Sequence, residues 1–280
     1  MQRIVTEIPM ECEVALSSCQ HIGSWLCHYK GIYEMVEWLE KDPTRKLFLF
    51  GDIIEAITTD DKRYNGDGIK EPIPLKQMKE AVKIFKSIKT QVIGALGGNH
   101  ELKLHRFGNL VNDVFCDKEF GLDVPYGTRT ARVIFQNRGN TLFRGFFTHD
   151  VPIFRSNAKD FLQREANVLA AMKVSMQYRM GDCALMVCGH PHQLLTIPPA
   201  PMLYITDGED GVKQHYLKGD LGDGGYINPD QRWYGCAGSF RKKFKDGIDD
   251  YSDIYNPVEL GYLKLTISSG KIASLEKVVA

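Results

Sequence analysis

The sequence predicts a layered α/β fold, with helices packed on the faces of a sheet. Three observations carry this reading. Short apolar runs of strand length alternate with segments of helical period, each apolar run stops abruptly, and a polar motif follows each stop. Such alternation is the pattern of strands that cross over through helices.

Residues 12–18 (CEVALSS) read as a short strand running into a loop. Residues 30–41 place Ile32, Met35, Val36 and Leu39 on one helical face. Residues 46–50 (KLFLF) form a continuous apolar run, stopped by Gly51, as expected for a strand buried on both faces. Helical period returns over 75–89 through Leu75, Met78, Val82, Phe85 and Ile88, and 92–96 (VIGAL) is a second buried strand. Residues 129–136 and 141–148 flank the turn signal Asn-Arg-Gly-Asn and predict a hairpin. One long helical stretch is expected over 157–180, ended by Gly181, and a further buried strand over 184–188 (ALMVC). Beyond Pro191 the chain turns strand-rich and turn-rich. Loops are expected to dominate 207–231, and the segments 260–267 and 271–279 predict a hairpin across Ser-Ser-Gly.

With 280 residues, 43% hydrophobic and 25% charged, the chain suits one large domain over 1–280. Residues 195–260 are a candidate loop-rich insert for substrate recognition or a lid. The formal net charge is zero, which excludes a chain that is basic overall, although Arg241, Lys242, Lys243 and Lys245 make a local cluster. That cluster reads as surface, with contact to a phosphate backbone as the alternative. The run Asp60-Asp61-Lys62-Arg63 reads as a solvated loop face, with a substrate-facing loop as the alternative. Seven scattered cysteines without a CxxC pair argue against a structural zinc site of that type. They fit reduced thiols, hence an expected cytoplasmic location. No apolar run approaches the roughly 20 residues that span a bilayer, so no membrane partner is expected.

The chemistry lies where the apolar runs stop. Ser18-Cys19-Gln20-His21, Gly51-Asp52, Gly98-Asn99-His100-Glu101 and Gly189-His190-Pro191-His192 each follow a buried strand, and Thr148-His149-Asp150 follows RGFF. In layered α/β sheets ligands collect outside the carboxyl ends of the strands, so these residues are expected to converge there. Imidazoles, carboxylates and an amide oxygen suit Zn, Mn or Fe. Asp52 can bridge two cations through its two oxygens. If the Gly-His-Pro-His segment is extended, its two histidines leave on the same side, toward two adjacent metals. His28, His105 and His215 lie outside the motifs, and Trp233, Tyr234 and Phe240 read as core.

This series of Cys-Gln-His, Gly-Asp, Gly-Asn-His-Glu, Thr-His and Gly-His-Pro-His resembles the calcineurin-like metallophosphoesterases. Their pattern is DxH, GDxxD, GNH[DE], a lone His and GHxH, in that order. The resemblance spans His21 to His192 and implies a four-layer sandwich of two mixed β-sheets flanked by helices. It implies one metal on His21, Asp52 and His192, with Cys19 at the fourth position, and a second on Asp52, Asn99, His149 and His190. His100 would be a general acid or charge stabiliser beside the phosphate. Glu55, Glu101 and His105 are candidate substrate or support residues.

Two positions depart from the family pattern. Glu55 stands for the last Asp of GDxxD, and Cys19 stands for the Asp of DxH. A thiolate accepts Zn or Fe(II) and suits Mg or Mn poorly, so the first site is expected to be weak, or biased toward zinc or iron. RNA lariat debranching enzymes of the superfamily share this local Cys-x-His.

The implied activity is hydrolysis of a phosphodiester, in a nucleic acid or nucleotide, by metal-activated hydroxide. The alternatives are a phosphomonoesterase, including a protein phosphatase or nucleotide pyrophosphatase, and a non-catalytic binding module with a degraded metal site. The sequence names no protein partner.

Overall fold

A computed structural model describes residues 1–217 and 225–280. In chain order the elements are β1 (Gln2–Glu7), β2 (Cys12–Ser17), α1 (Tyr29–Glu40), β3 (Lys46–Leu49), α2 (Pro74–Phe85), β4 (Val92–Ala95) and α3 (Asn99–Leu102). They continue with β5 (Thr130–Asn137), β6 (Asn140–Thr148), α4 (Phe161–Met176), β7 (Leu185–Cys188), β8 (Leu194–Ile197), β9 (Met202–Thr206), β10 (Lys213–Leu217), β11 (Trp233–Ala237), β12 (Gly261–Ser268) and β13 (Lys271–Val279).

Two mixed sheets form, in the orders β1-β5-β6-β7-β11-β8 and β13-β12-β2-β3-β4. Strand pairing is parallel for β2 with β3, β3 with β4, β6 with β7 and β7 with β11. Alternation of side chains then sets the layers. Val14, Leu16, Phe48 and Phe50 of one sheet meet Val133, Phe147, Leu185 and Val187 of the other between the sheets. Ala15, Leu47 and Leu49 face the opposite way, against Ile32, Met35 and Leu39 of α1 and Met78, Ala81 and Phe85 of α2. On the far side Phe146, Met186 and Cys188 pack on Met172 and Met176 of α4. Three apolar cores between four layers confirm the expected sandwich, and explain why the strands read as continuous apolar runs.

The hairpin across Asn-Arg-Gly-Asn closes with positive φ at both Arg138 (50°) and Gly139 (79°), the turn that matches strand twist. Proline at the first turn starts α2, and the chain tightens into a 3-10 segment at Lys86–Gln91, so this helix is shorter than its pattern. Helix α4 is also shorter than 157–180. Asp160 caps it by accepting from Gln163 N at 2.8 Å, and Met176 is its last residue. β1 was not anticipated; it is a sheet edge with only Ile4 and Thr6 buried.

Within 195–260, the stretch expected to be a loop-rich insert, Leu194–Ile197 and Trp233–Ala237 are strands of the larger sheet. What stands apart is the two-stranded pair β9–β10, which corrects the loop reading of 207–231 in part. Residues 218–224 of that stretch lie outside the described residues. No helix among the described residues is long and apolar enough to cross a membrane.

Candidate metal centre

The loops that leave β2, β3, β4, β6, β7 and β11 meet at one end of the sandwich. Backbone bonds tie them: Cys19 N to Gly51 O at 3.0 Å, His21 N to Asp52 O at 3.0 Å, Gly189 N to Thr148 O at 2.9 Å and Phe240 N to Cys19 O at 3.0 Å. Gly51 has φ 86°, and a Cβ there would lie 2.5 Å from Gly98 N, so only glycine lets these two loops approach. Non-glycine residues share the strained geometry. Cys19 (54°), His21 (51°), Asp52 (50°), His190 (82°) and His192 (57°) all have positive φ. Each costs about 1–2 kcal/mol, and such strain gathers at functional sites.

Among the described residues three groups of ligating atoms result: Cys19, His21, Asp52 and His192; Asp52, His149 and His190; and His21, Glu55 and His100. Within each the atoms lie within 4.8 Å of one another. Two donors bonded to one ion at about 2.0–2.3 Å are at most about 4.6 Å apart, so the spacing fits a cation after small adjustment. Asp52 joins the first two groups. Its Oδ2 lies 3.1 Å from His149 Nε2 and 4.0 Å from His21 Nε2, while Oδ1 accepts from His100 N at 2.9 Å. Oδ2 therefore faces both groups, and Oδ1 is engaged by the His100 backbone. Asn99 Oδ1 lies 3.3 Å from His149 Nε2 and extends the second group. The Gly-His-Pro-His segment is bent rather than extended, which sends His190 to the second group and His192 to the first.

The ring tautomers follow from the partners. Carbonyl and carboxylate oxygens only accept, so His149 Nδ1 donates to Phe50 O, and His21 Nδ1 donates to Glu55 Oε2 at 2.8 Å. A ring that donates through Nδ1 keeps Nε2 for the centre, as metal-ligating histidines do. His149 Nε2 lies 3.1 Å from Asp52 Oδ2, and although burial alone would lower the His149 imidazole, Asp52 outweighs it and raises the ring above its ordinary value, so a cation there would displace a proton. His100 Nδ1 donates to Glu55 O, leaving its Nε2 to accept from Arg63 Nη1 at 2.8 Å. Burial moves His100 down to about 4, so the ring is neutral. Burial alone would raise the Asp52 carboxyl, yet His149, His100 and His21 outweigh it and hold Asp52 well below the usual carboxylate range. Burial, then Asp52, pushes the Cys19 thiol up.

No protein-family model matches the chain, and no curated protein matches it. Solved structures do. A metallophosphoesterase from Sphaerobacter thermophilus is 14% identical, over 95% of this chain and 88% of that one, with a TM-score of 0.37. The calcineurin-like phosphoesterase YfkN from Bacillus subtilis is 11% identical, over 96% and 90%, at 0.39. The NAD nucleotidase of Haemophilus influenzae is 11% identical, over 96% of this chain and 50% of its own, at 0.44. This chain is similar to them in the course of its backbone.

Support around the centre comes from Glu101 and Glu55, which the motifs marked, and from Arg241, which they did not. Glu101 accepts from Gly98 N at 2.8 Å, Asp52 N at 3.1 Å and Ile54 N at 3.0 Å, so it braces two loops and is buried away from any substrate. Glu55 also supports, through His21 and Arg241 Nε at 3.3 Å. Arg241 Nη2 donates to Asp250 Oδ1 at 2.7 Å, and the guanidinium is fully buried, which corrects the surface reading of its cluster. Lys243 Nζ lies 3.0 Å from His192 Nδ1, whereas Lys242 and Lys245 are exposed. His105 is exposed on the turn His105–Phe107 and belongs to none of the three groups. Arg241 carried a readable signal, because Gly-Ser-Phe-Arg follows the apolar run of β11 as the other motifs follow theirs.

Proposed function

We propose that this chain is a metal-dependent phosphoric ester hydrolase, and that it acts on phosphodiesters, with nucleic acid or nucleotide as the favoured class. One observation carries the reading: two groups of ligating atoms share the buried oxygen Asp52 Oδ2 at the strand ends. Cys19, His21, Asp52 and His192 would hold one cation, and Asp52, Asn99, His149 and His190 the other. When bound, two divalent cations supply positive charge for phosphate oxygens and acidify a water molecule. The protein's own part is to orient. Glu55 and Phe50 fix the imidazole tautomers, and Glu101 holds the loops in register. The lean toward a diester rests on the nuclease-like Cys-x-His and on the basic residues Arg63 and Lys243 at the edge of the centre.

Metal content, measured with turnover of bis(p-nitrophenyl) phosphate and p-nitrophenyl phosphate, tests this reading. Transition metal near two equivalents and faster diester turnover are expected. Metal without turnover of either ester would leave a binding module instead.

His100 would act on the substrate, from the side of the centre where its Nε2 accepts from Arg63. Without a proton at Nε2 the ring accepts rather than donates, so a general-acid role requires a proton to be delivered there first. His100→Ala is expected to lower turnover about 10²–10⁴-fold while bound metal is unchanged. Loss of metal in proportion to activity would make His100 structural.

Cys19 sets the metal preference of the first group. Its sulfur accepts Zn or Fe(II), and a neighbouring cation favours the thiolate despite burial. Cys19→Asp is expected to raise Mn affinity at that group, read by metal titration of both proteins. Identical Mn stoichiometry and affinity would show that the thiol only packs.

A further inference from the structure

Arg63 lies outside every ligand motif, on the loop between β3 and α2, yet its side chain ends at the centre. We infer that Arg63 binds a nonbridging oxygen of the phosphate, and so makes substrate affinity depend on a loop that the ligand pattern does not mark. This rests on the phosphoesterase reading above.

Four observations support it. The Nη1 tip donates to His100 Nε2 at 2.8 Å, and the His100 ring stands edge-on to His21 with centroids 4.6 Å apart. One imidazole therefore separates the guanidinium from the ligating atoms. The rest of the side chain is locked: Asp61 accepts from Arg63 N at 3.0 Å, Nε at 3.2 Å and Nη2 at 3.0 Å, and Lys103 donates to the same carboxylate. The ring of Tyr251 lies under the guanidinium, 5.3 Å from centroid to Cζ. Finally, the Arg63 side chain is 25% exposed, which leaves it open to a ligand.

These contacts divide the guanidinium into a held edge and a free tip. Nε and Nη2 are used by Asp61. Nη1 carries two hydrogens, and His100 takes one. A lone ion pair fixing a surface loop has no need to aim its tip at an imidazole beside a cation site, where like charge is unfavourable. Asp61 offsets that charge, and the tip remains a donor of fixed direction. Guanidinium donors suit phosphate oxygens, and a donor fixed before binding loses little freedom on making the bond.

The test compares wild type, Arg63→Ala and Arg63→Lys, each loaded with metal and analysed for metal content. Inorganic phosphate is the probe, titrated calorimetrically, beside kcat and KM for bis(p-nitrophenyl) phosphate. Arg63→Ala should keep its metal, bind phosphate about 10- to 100-fold more weakly and raise KM in step. Arg63→Lys should fall between the two, and free guanidinium ion should restore part of the activity of Arg63→Ala alone. Phosphate affinity within twofold of wild type would overturn the inference and leave the hydrolase standing. Loss of metal from Arg63→Ala would overturn it too, by making the loop a structural brace. A wild-type protein that neither binds phosphate nor turns over either ester would remove both readings together.

Discussion

Asp52→Asn is expected to strip metal from both halves of the centre and to lower hydrolysis by about 10³-fold or more, the worth of several kcal/mol of metal charge stabilisation. The reason is geometric. Oδ2 faces both His21 and His149, at 4.0 and 3.1 Å, and Asp52 is the residue that the two ligand groups share among the described residues. Oδ1 is already spent on His100 N at 2.9 Å. An amide of the same shape keeps one acceptor for that backbone bond and turns its NH2 toward imidazoles that offer lone pairs. The fold should survive, since the side chain keeps its volume. Metal analysis, a circular dichroism spectrum and diester turnover decide the matter: native structure with full activity would end the two-cation reading.

The second large effect concerns stability. Arg241→Met should cost about 3–5 kcal/mol, because it leaves two buried carboxylates without their cation. Glu55 is fully buried and Asp250 is 7% exposed. Burial alone would raise the Glu55 carboxyl, and Arg241 and His21 bring it down to about 2. Urea unfolding of Arg241→Met, Glu55→Gln and the double variant would separate the pair from its surroundings. A coupling energy above about 1 kcal/mol is expected for groups in contact. An Arg241→Met protein within about 1 kcal/mol of wild type would show that the triad is not a brace.

What the sequence disclosed depended on how many faces each segment buries. KLFLF was legible as a strand because Phe48 faces one core and Leu47 and Leu49 another, so the run is apolar throughout. β1 was not, because an edge strand with only Ile4 and Thr6 buried looks like a polar terminus. The pattern overextended α4, and its first residues, Phe161 and Leu162, are 64% and 69% exposed and so carry no packing constraint. At the centre, the order of short motifs named the residues that converge. The sequence could not disclose the left-handed backbone at Cys19, His21, Asp52, His190 and His192, because none of these is a glycine. Nor could it separate Arg241 from the lysines beside it. A buried arginine and an exposed one are the same letter, and only the positions of Glu55 and Asp250 distinguish them.

The order in which the strands are laid down has a bearing on synthesis. All seven candidate ligands precede Gln193, so a ribosome has delivered the whole set before β11 and β12 are made. Yet β11, which flanks β7, and β12, which flanks β2, follow the ligands in chain order. The bonds from Phe240 and Ser239 to Cys19 O, and from Arg241 to Glu55, come later still than β11. A nascent chain halted after His192 holds every ligand and none of these braces, and it presents the open edges of β2 and β7 as templates for pairing with other chains. Competence for metal and completion of the sheets therefore arrive together, once β11 and β12 have been made.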